Sequence, residues 1–339
     1  MSARGAGRAQ IAVLGAGSWG TALAIQCARA GNGVQLWGRA ASQLALMGRE
    51  RVNRRYLPQA PFPELMQVAP DLPAALADVD DVLVAVPSHA FRELLKQLAP
   101  LLKPGQRLCW ATKGFEIASG RLPHEVAQEV LGSGRLTAVL SGPTFAREVG
   151  AGLPTAMTIA SRDADYAAIL AHHISNASFR AYTSSDIIGV EVGGAVKNVL
   201  AIGAGLSDGL GFGANSRIAL ITRGLMEMTR LGVALGAQAE TFMGLAGLGD
   251  LALTCTDDQS RNRRYGLLLA RGMDSEAALA EIGQVVEGHH AADAVRKVAA
   301  REGVQLPICE GIHGVLHHNL AVEDVVRGLM MRPIKAEFG

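Results

Sequence analysis

Residues 11–20 read IAVLGAGSWG, an apolar run that ends in Gly15, Gly17 and Gly20, with a helix-forming segment, Thr21–Arg29, directly behind it. The order strand, G-x-G-x-x-G, helix suits a dinucleotide. The first glycine makes a tight turn, the second lets the backbone approach the pyrophosphate, and the third lets helix pack on strand. Amide groups at the helix start then face the anionic phosphates. The motif alone is weak, because 40 glycines in 339 residues produce chance matches. Its place at a strand-to-helix junction near the N-terminus sets it apart from an ordinary glycine-rich turn.

Working outward, Val34–Trp37 reads as a second strand, and Arg39 stands 19 residues past Gly20, where an acidic residue would accept the ribose 2′-hydroxyl of NAD. A guanidinium suits a 2′-phosphate instead, so NADP(H) is favoured and NAD(H) remains possible; a solvated arginine is the plain alternative. Arg49–Pro61 is polar, basic and bounded by proline, and is expected to be a loop. Strand runs at Asp81–Val86, Arg107–Ala111, Thr137–Leu140, Ala156–Ala160 and Phe179–Tyr182 alternate with helical stretches such as Ala90–Ala99. That alternation predicts a parallel, doubly wound sheet whose ligands lie beyond the strand C-termini, where Lys113 and Gly142–Thr144 fall.

From about Asp186 strands give way to long helical runs: Glu191–Ala204, Ser216–Leu235, Arg263–Arg271, Ala291–Glu302 and Gly311–His318. The expected organisation is an α/β Rossmann-like N-terminal domain over 11–188 and an all-α C-terminal domain over 189–333, with substrate held between them. Residues 1–10 read as a disordered lead-in and 334–339 as a flexible tail. Ser216–Leu235, capped by Asn215-Ser216 and stopped by Gly236, is apolar nearly all round (Ile218, Leu220, Leu225, Met228, Leu231, Val233). It is therefore expected in the domain core or at a homodimer interface.

Composition bounds the function. Lys and Arg number 32 against 31 Asp and Glu, a net charge of +1, so nothing global asks for nucleic acid or a membrane surface. The four cysteines are dispersed without a C-x-x-C pair, which fits small apolar residues in a reducing, cytoplasmic compartment. No stretch is expected to match a membrane span.

Lys197 is a single lysine in GGAVKNVLAIGAG, and burying it among Gly, Ala and Val is costly without a purpose. A proton donor for a forming alkoxide is one such purpose; snorkelling to solvent is the other reading. Asp250 is the one carboxylate of GLAGLGDLALT, suited to holding substrate hydroxyls or the lysine, or else to capping a helix. Ser260, Arg261 and Asn262 open a helix in SRNRR, where amides and the Arg261 and Asn262 side chains suit a phosphate monoester; a solvated basic helix is the alternative. His289-His290 and His313/His317 lack an H-E-x-x-H pattern, so no metal is expected.

Taken in order, GAGSWGTALA, VPSHAFR, ATKGFE, LSGPTFAREV, EVGGAVKNVLAIGAG, GLAGLGDLALTCTDDQSRNRRYG and VVEG resemble the bacterial NAD(P)-dependent glycerol-3-phosphate dehydrogenases, from Gln10 to about Pro333. The resemblance implies reversible reduction of dihydroxyacetone phosphate to sn-glycerol 3-phosphate, the backbone of phospholipids. It implies cofactor contacts at Ser18, Trp19, Arg39, Lys113, Ala146, Arg261, Val285 and Glu287, beside the glycines. Lys197 becomes the proton donor and acceptor, with Lys113 and Asp250 in the catalytic set. Substrate contacts fall on Lys113, Gly142, Thr144, Lys197, Asp250, Ser260, Arg261 and Asn262. Two other readings stay open: a reductase of a β-hydroxy or keto acid, and a catalytically silent NADPH-binding sensor.

Overall fold

The computed structural model describes residues 8–333 and 336. The lead-in up to residue 7 and most of the tail lie outside them, and Gln10 is already the first residue of a strand. Contacts divide the chain into two compact units, residues 1–116 with 121–191 and residues 117–120 with 192–339.

The first unit runs β1 (Gln10–Leu14), α1 (Ser18–Arg29), β2 (Gly33–Trp37), α2 (Ala41–Glu50), β3 (Val52–Asn53), β4 (Leu57–Pro61), β5 (Met66–Val68), α3 (Leu72–Leu76) and β6 (Asp81–Val84). It continues with α4 (Ser88–Leu98), β7 (Arg107–Trp110), α5 (Pro123–Leu131), β8 (Thr137–Ser141), α6 (Ala146–Ala151), β9 (Thr155–Ala160), α7 (Ala164–Ile174) and β10 (Phe179–Ser184). Eight strands form one sheet in the order β10-β9-β8-β7-β6-β1-β2-β5. The order reverses between β1 and β6, which opens a crevice at their C-terminal ends, where such sheets bind ligands. β1 and β6 are buried on both faces, as near-continuous apolar strands of a parallel sheet must be. α1 buries every residue from Gly20 to Ala28 against them.

Two expectations are corrected here. The sheet is mixed, because β9 pairs with β8 antiparallel, Val139 opposite Ala160. The connection from Ser141 to Thr155 holds only the short α6, too little for the usual helical crossover of a parallel pair. Residues 49–61 are not a loop: α2 extends to Glu50, and β3 pairs antiparallel with β4. Pro58 and Pro61 are tolerated because in a ribbon of two strands both are edge strands, each with one side outside the ladder.

A polar lock closes the N-terminal ends of the central strands β6 and β7. Arg107 donates to Asp81 through Nε (2.8 Å) and Nη2 (2.7 Å), and His173 Nδ1 lies 3.4 Å from the same carboxylate. Burial pushes the Asp81 carboxyl up, but His173 and Arg107 outweigh it and hold the group below its ordinary range.

α8 (Ile187–Gly209) begins in the first unit and continues into the second, followed by α9 (Ala214–Ala234), a 3₁₀ turn at Ala239–Met243 and a π turn at Leu245–Gly249. Then come α10 (Asp250–Thr256), α11 (Arg261–Ala270), α12 (Ser275–Ile282), α13 (Glu287–Arg301), α14 (Pro307–His318) and α15 (Val322–Met330). The helix covered on every side is α8, whose composition and 23-residue length would suffice to span a membrane, contrary to the expectation of no such run. The 18-residue window that qualifies is 94% buried inside the protein, so the core accounts for its hydrophobicity. α9 is two-sided instead: Leu225, Met228 and Leu231 are buried while Ile218 is 57% and Val233 48% exposed. It begins after Gly213 rather than at Asn215-Ser216.

Candidate active site

The glycine turn forms as its spacing predicts. Gly15 sits at φ 126°, a conformation that side chains rarely adopt, and its N–H donates 2.8 Å to Trp37 O. A Cβ on Gly20 would strike the Gly15 carbonyl oxygen, so only glycine lets α1 start this close to the turn. Gly17 differs from both: no heavy atom lies within 4 Å of the place its Cβ would take. Ser18 and Trp19 are the first residues of α1, whose N-terminus has no side-chain cap and no acidic residue in its first turn. Its amides are thus offered to an external anion. Among the described residues the buried Trp19 indole N–H finds no acceptor, and the buried Ser141 hydroxyl at the end of β8 no partner. An open cradle, uncapped amides and orphaned polar groups at a helix start and a strand end fit a bound dinucleotide.

The other residues expected around the cofactor's path in this unit lie at the C-terminal ends of the parallel strands. Arg39 is exposed just past β2. Lys113, half-buried, follows Thr112, whose hydroxyl donates 2.7 Å to Val86 O and ties the end of β7 to that of β6. Gly142 and Thr144 follow β8, with Thr144 Oγ1 donating to Gly142 O at 3.2 Å, and Ala146 opens α6.

In the second unit Lys197 is buried, 6% exposed, on α8. Its ammonium donates to Asp250 Oδ1 and, at 3.1 Å, to Thr254 Oγ1. The local sequence explains this meeting. Gly193 lies one helical turn before Lys197 on the same face, and a Cβ there would run into the Ala246 carbonyl. The glycine therefore lets the π turn press against α8, and the turn delivers Asp250, 1% exposed, to the lysine. Asp250 is the first residue of α10, and its carboxylate accepts from the lysine. The Thr254 hydroxyl donates to Asp250 O at 2.5 Å, which leaves its lone pairs to accept from the ammonium.

Ser260, Arg261 and Asn262 do open a helix. Ser260 is the N-cap, its hydroxyl accepting from Arg263 N at 3.2 Å. Asn262 is engaged within the protein: Nδ2 donates to Asn198 Oδ1 (2.9 Å) and Oδ1 accepts from Gly288 N (2.9 Å). Asn198 Nδ2 in turn donates to Glu287 Oε2 at 3.2 Å, so Glu287 and Asn262 belong to one buried chain of hydrogen bonds. Arg261 Nη1 reaches Gln284 Oε1 at 3.3 Å, and Val285 is exposed beside it. Arg263 is structural, paired to the buried Asp208 at 2.6 Å.

The histidines form a cluster of edge-on and tilted rings: His289 lies 5.0 and 5.1 Å from His290 and His317 between ring centres, and His313 lies 4.8 Å from His317. Burial, then His290 and His317, push His289 down to about 4. No group of His, Cys, Asp or Glu among the described residues is arranged to hold a metal ion.

Residues 10–167 match the family profile described as NAD-dependent glycerol-3-phosphate dehydrogenase N-terminus, and 186–327 match the corresponding C-terminus. The chain belongs to this dehydrogenase family. It is 53% identical over 330 residues to the glycerol-3-phosphate dehydrogenase [NAD(P)+] of Klebsiella pneumoniae, covering 97% of both chains. With the enzyme of that name from Shigella boydii the identity is 54%, again over 97% of each. A solved glycerol-3-phosphate dehydrogenase from Coxiella burnetii superposes with a TM-score of 0.92 at 47% identity, covering 96% of this chain and 99% of that one. A Rossmann-like domain followed by a helical domain is thus the fold of this dehydrogenase.

Three groups escaped the sequence reading. Thr254 stands four residues after Asp250, a helical spacing that puts both on one face and was the available signal. Asn198, next to Lys197, was a second polar residue in the same apolar helix. In the first unit Glu191 accepts from Trp110 Nε1 (2.9 Å) and His124 N (3.0 Å), with His124 Nδ1 at 2.6 Å. Burial alone would lower the His124 pKa, but the carboxylate overrides it and holds it raised. This cluster anchors the start of the helix that carries Lys197, and no local pattern announces it.

Proposed function

We propose that this chain catalyses the reversible, NAD(P)H-dependent reduction of dihydroxyacetone phosphate to sn-glycerol 3-phosphate, with Lys197 moving the proton. One observation carries the reading: a buried lysine held by Asp250 and Thr254, in a family member that also bears an uncapped glycine turn. The dinucleotide supplies the hydride. Lys197 Nζ gives a proton to the carbonyl oxygen as it becomes the hydroxyl, and in the oxidative direction the neutral amine takes that proton back. Asp250 steadies the ammonium electrostatically. Thr254, whose own proton is directed at a backbone carbonyl, fixes the amine by accepting from it.

The phosphate end of the substrate suits the start of α11, where the amides of Arg261 and Asn262 precede the first intrahelical bonds and the Arg261 guanidinium adds charge. Lys113, Gly142 and Thr144 are assigned to the substrate's reacting end, and Ser18, Trp19, Arg39, Ala146, Val285 and Glu287 to the dinucleotide. Arg39, exposed and cationic past β2, supports use of NADPH over NADH. The four buried, unpaired cysteines support a reducing, cytoplasmic setting, and the exposed Ile218 and Val233 support a homodimer through α9. The product would feed phospholipid backbones.

The test is oxidation of NADPH and NADH by dihydroxyacetone phosphate, for the wild type and for Arg261→Ala. The account expects turnover by the wild type and a KM for the triose phosphate raised by roughly 10- to 100-fold in the variant, the loss of a charge-assisted contact. No turnover, or equal turnover of unphosphorylated keto acids, overturns it.

A further inference from the structure

We infer that Asn53 is a positioning residue that aims the glycine turn at the dinucleotide, an inference that rests on that turn holding the pyrophosphate. Asn53 lies at the end of β3, in a segment whose sequence suggests only a solvated loop. Its side chain is buried, and both hydrogens of its amide are used: Nδ2 donates to Ala16 O at 3.1 Å and to Thr21 Oγ1 at 2.9 Å. One bond grips the turn before Gly17; the other grips the first turn of α1. The Asn53 oxygen makes no hydrogen bond among the described residues, so the donors alone orient the amide.

The consequence follows from peptide geometry. In a planar trans peptide the C=O and the following N–H point in opposite directions. Drawing the Ala16 carbonyl inward toward Asn53 therefore turns the Gly17 N–H outward. That N–H makes no hydrogen bond among the described residues, and a Cβ on Gly17 would meet no heavy atom within 4 Å, so the backbone here is open to close approach. A backbone donor is thus pre-aimed at the position suited to an anionic oxygen, and the cost of aiming it is met in folding rather than in binding.

The grip needs a rigid base, and the hairpin supplies one. Arg51 adopts a left-handed conformation (φ 55°), and its guanidinium donates to Met66 O and Pro63 O, each at 2.6 Å. Phe62 N closes the ribbon onto Arg51 O at 2.8 Å. Leu57 and Ala60 of β4 are buried beside α6, where a Cβ on Gly150 would come within 3.1 Å of the Ala60 methyl. These contacts hold β3, and hence the amide, in one place.

The experiment measures binding of NADPH and of 2′-AMP, which has adenine and ribose but no 5′-phosphate, to Asn53→Leu and to Thr21→Val. Asn53→Leu is expected to weaken NADPH roughly 10- to 100-fold, the scale of an ångström-sized misplacement, while 2′-AMP changes less than about twofold. The KM for dihydroxyacetone phosphate at saturating NADPH stays within about twofold in the same variant. Thr21→Val, which frees one anchor of the amide, is expected to cost NADPH a few-fold with 2′-AMP unchanged. If Asn53→Leu does not fold, this second variant decides, and no selective loss there overturns the inference. Equal weakening of both ligands assigns Asn53 a merely structural role and overturns it too. Gly17→Ala separates the two levels. If it leaves NADPH binding intact, the reading of the turn fails and the inference with it. If it weakens NADPH while Asn53→Leu does not, the inference about Asn53 alone fails.

Discussion

Replacing Gly17 by alanine adds one methyl group at the point where the account requires a phosphate to touch backbone. Gly17 has φ −78° and ψ −176°, values open to any residue, and its new Cβ would meet no heavy atom within 4 Å. The fold should therefore lose no more than about 1 kcal/mol, the usual cost of alanine at a helix N-cap. Binding is another matter. A charge-assisted N–H···O⁻ bond needs about 2.8 Å between heavy atoms, whereas a methyl carbon keeps an oxygen roughly 3.3–3.5 Å away. Displacing the pyrophosphate by that much loses one or two such bonds, worth about 1.5–3 kcal/mol each before relaxation. A net loss of about 2–4 kcal/mol corresponds to roughly 30- to 1,000-fold in dinucleotide affinity. Titration of NADPH by fluorescence, with thermal unfolding measured in parallel, reads both quantities. An unchanged Kd would refute the reasoning. So would a loss of affinity that tracks a large drop in Tm, which is instead the behaviour expected of Gly20→Ala, whose Cβ strikes the Gly15 carbonyl.

Two predictions concern stability. Asp81→Asn removes the charge that pairs with Arg107 and should cost about 3–5 kcal/mol by denaturant unfolding, as for other broken buried pairs. Because Asp81 is held below its ordinary range, its contribution is present above that range and is lost as pH falls through it toward the folded value; the variant should lack this acid limb. His289, pushed down to about 4 by burial and its histidine neighbours, takes up fewer protons folded than unfolded between that value and roughly 6.5. Stability should thus be complete above about pH 6.5 and decline from there toward pH 4, and His289→Gln should flatten that decline in a series of Tm measurements.

How much of this was legible beforehand depends on whether the determining contacts are local. The glycine turn was legible because its strand, its positive φ and its helix start are written within ten residues. Lys197 and Asp250 stood out because each is a lone charge in an apolar stretch, and burial of such a charge demands a partner. The direction of β9 was not legible, since alternation and apolarity are the same for either pairing. The hairpin at 52–61 was hidden for a related reason: it pairs two residues deep, is interrupted by prolines, and is held by Arg51 donating to carbonyls more than ten residues away. α8 and α9 exchanged roles because both are rich in apolar residues, and only tertiary packing decides which is covered on every side. The π turn that carries Asp250 to Lys197 depends on Gly193, some fifty residues earlier in the chain, a relation no window along the sequence contains.

The central claim is that Lys197 moves the proton. Lys197→Arg tests it most directly, because the guanidinium keeps a cation beside Asp250 yet does not give up its proton near neutral pH. The measurement is kcat for NADPH oxidation by dihydroxyacetone phosphate at saturation, with the NADPH Kd determined on the same sample. The account predicts a kcat lower by roughly 10²–10⁴-fold, the range for a lost general acid, with Kd within about threefold of the wild type. A kcat within about tenfold of the wild type would contradict it.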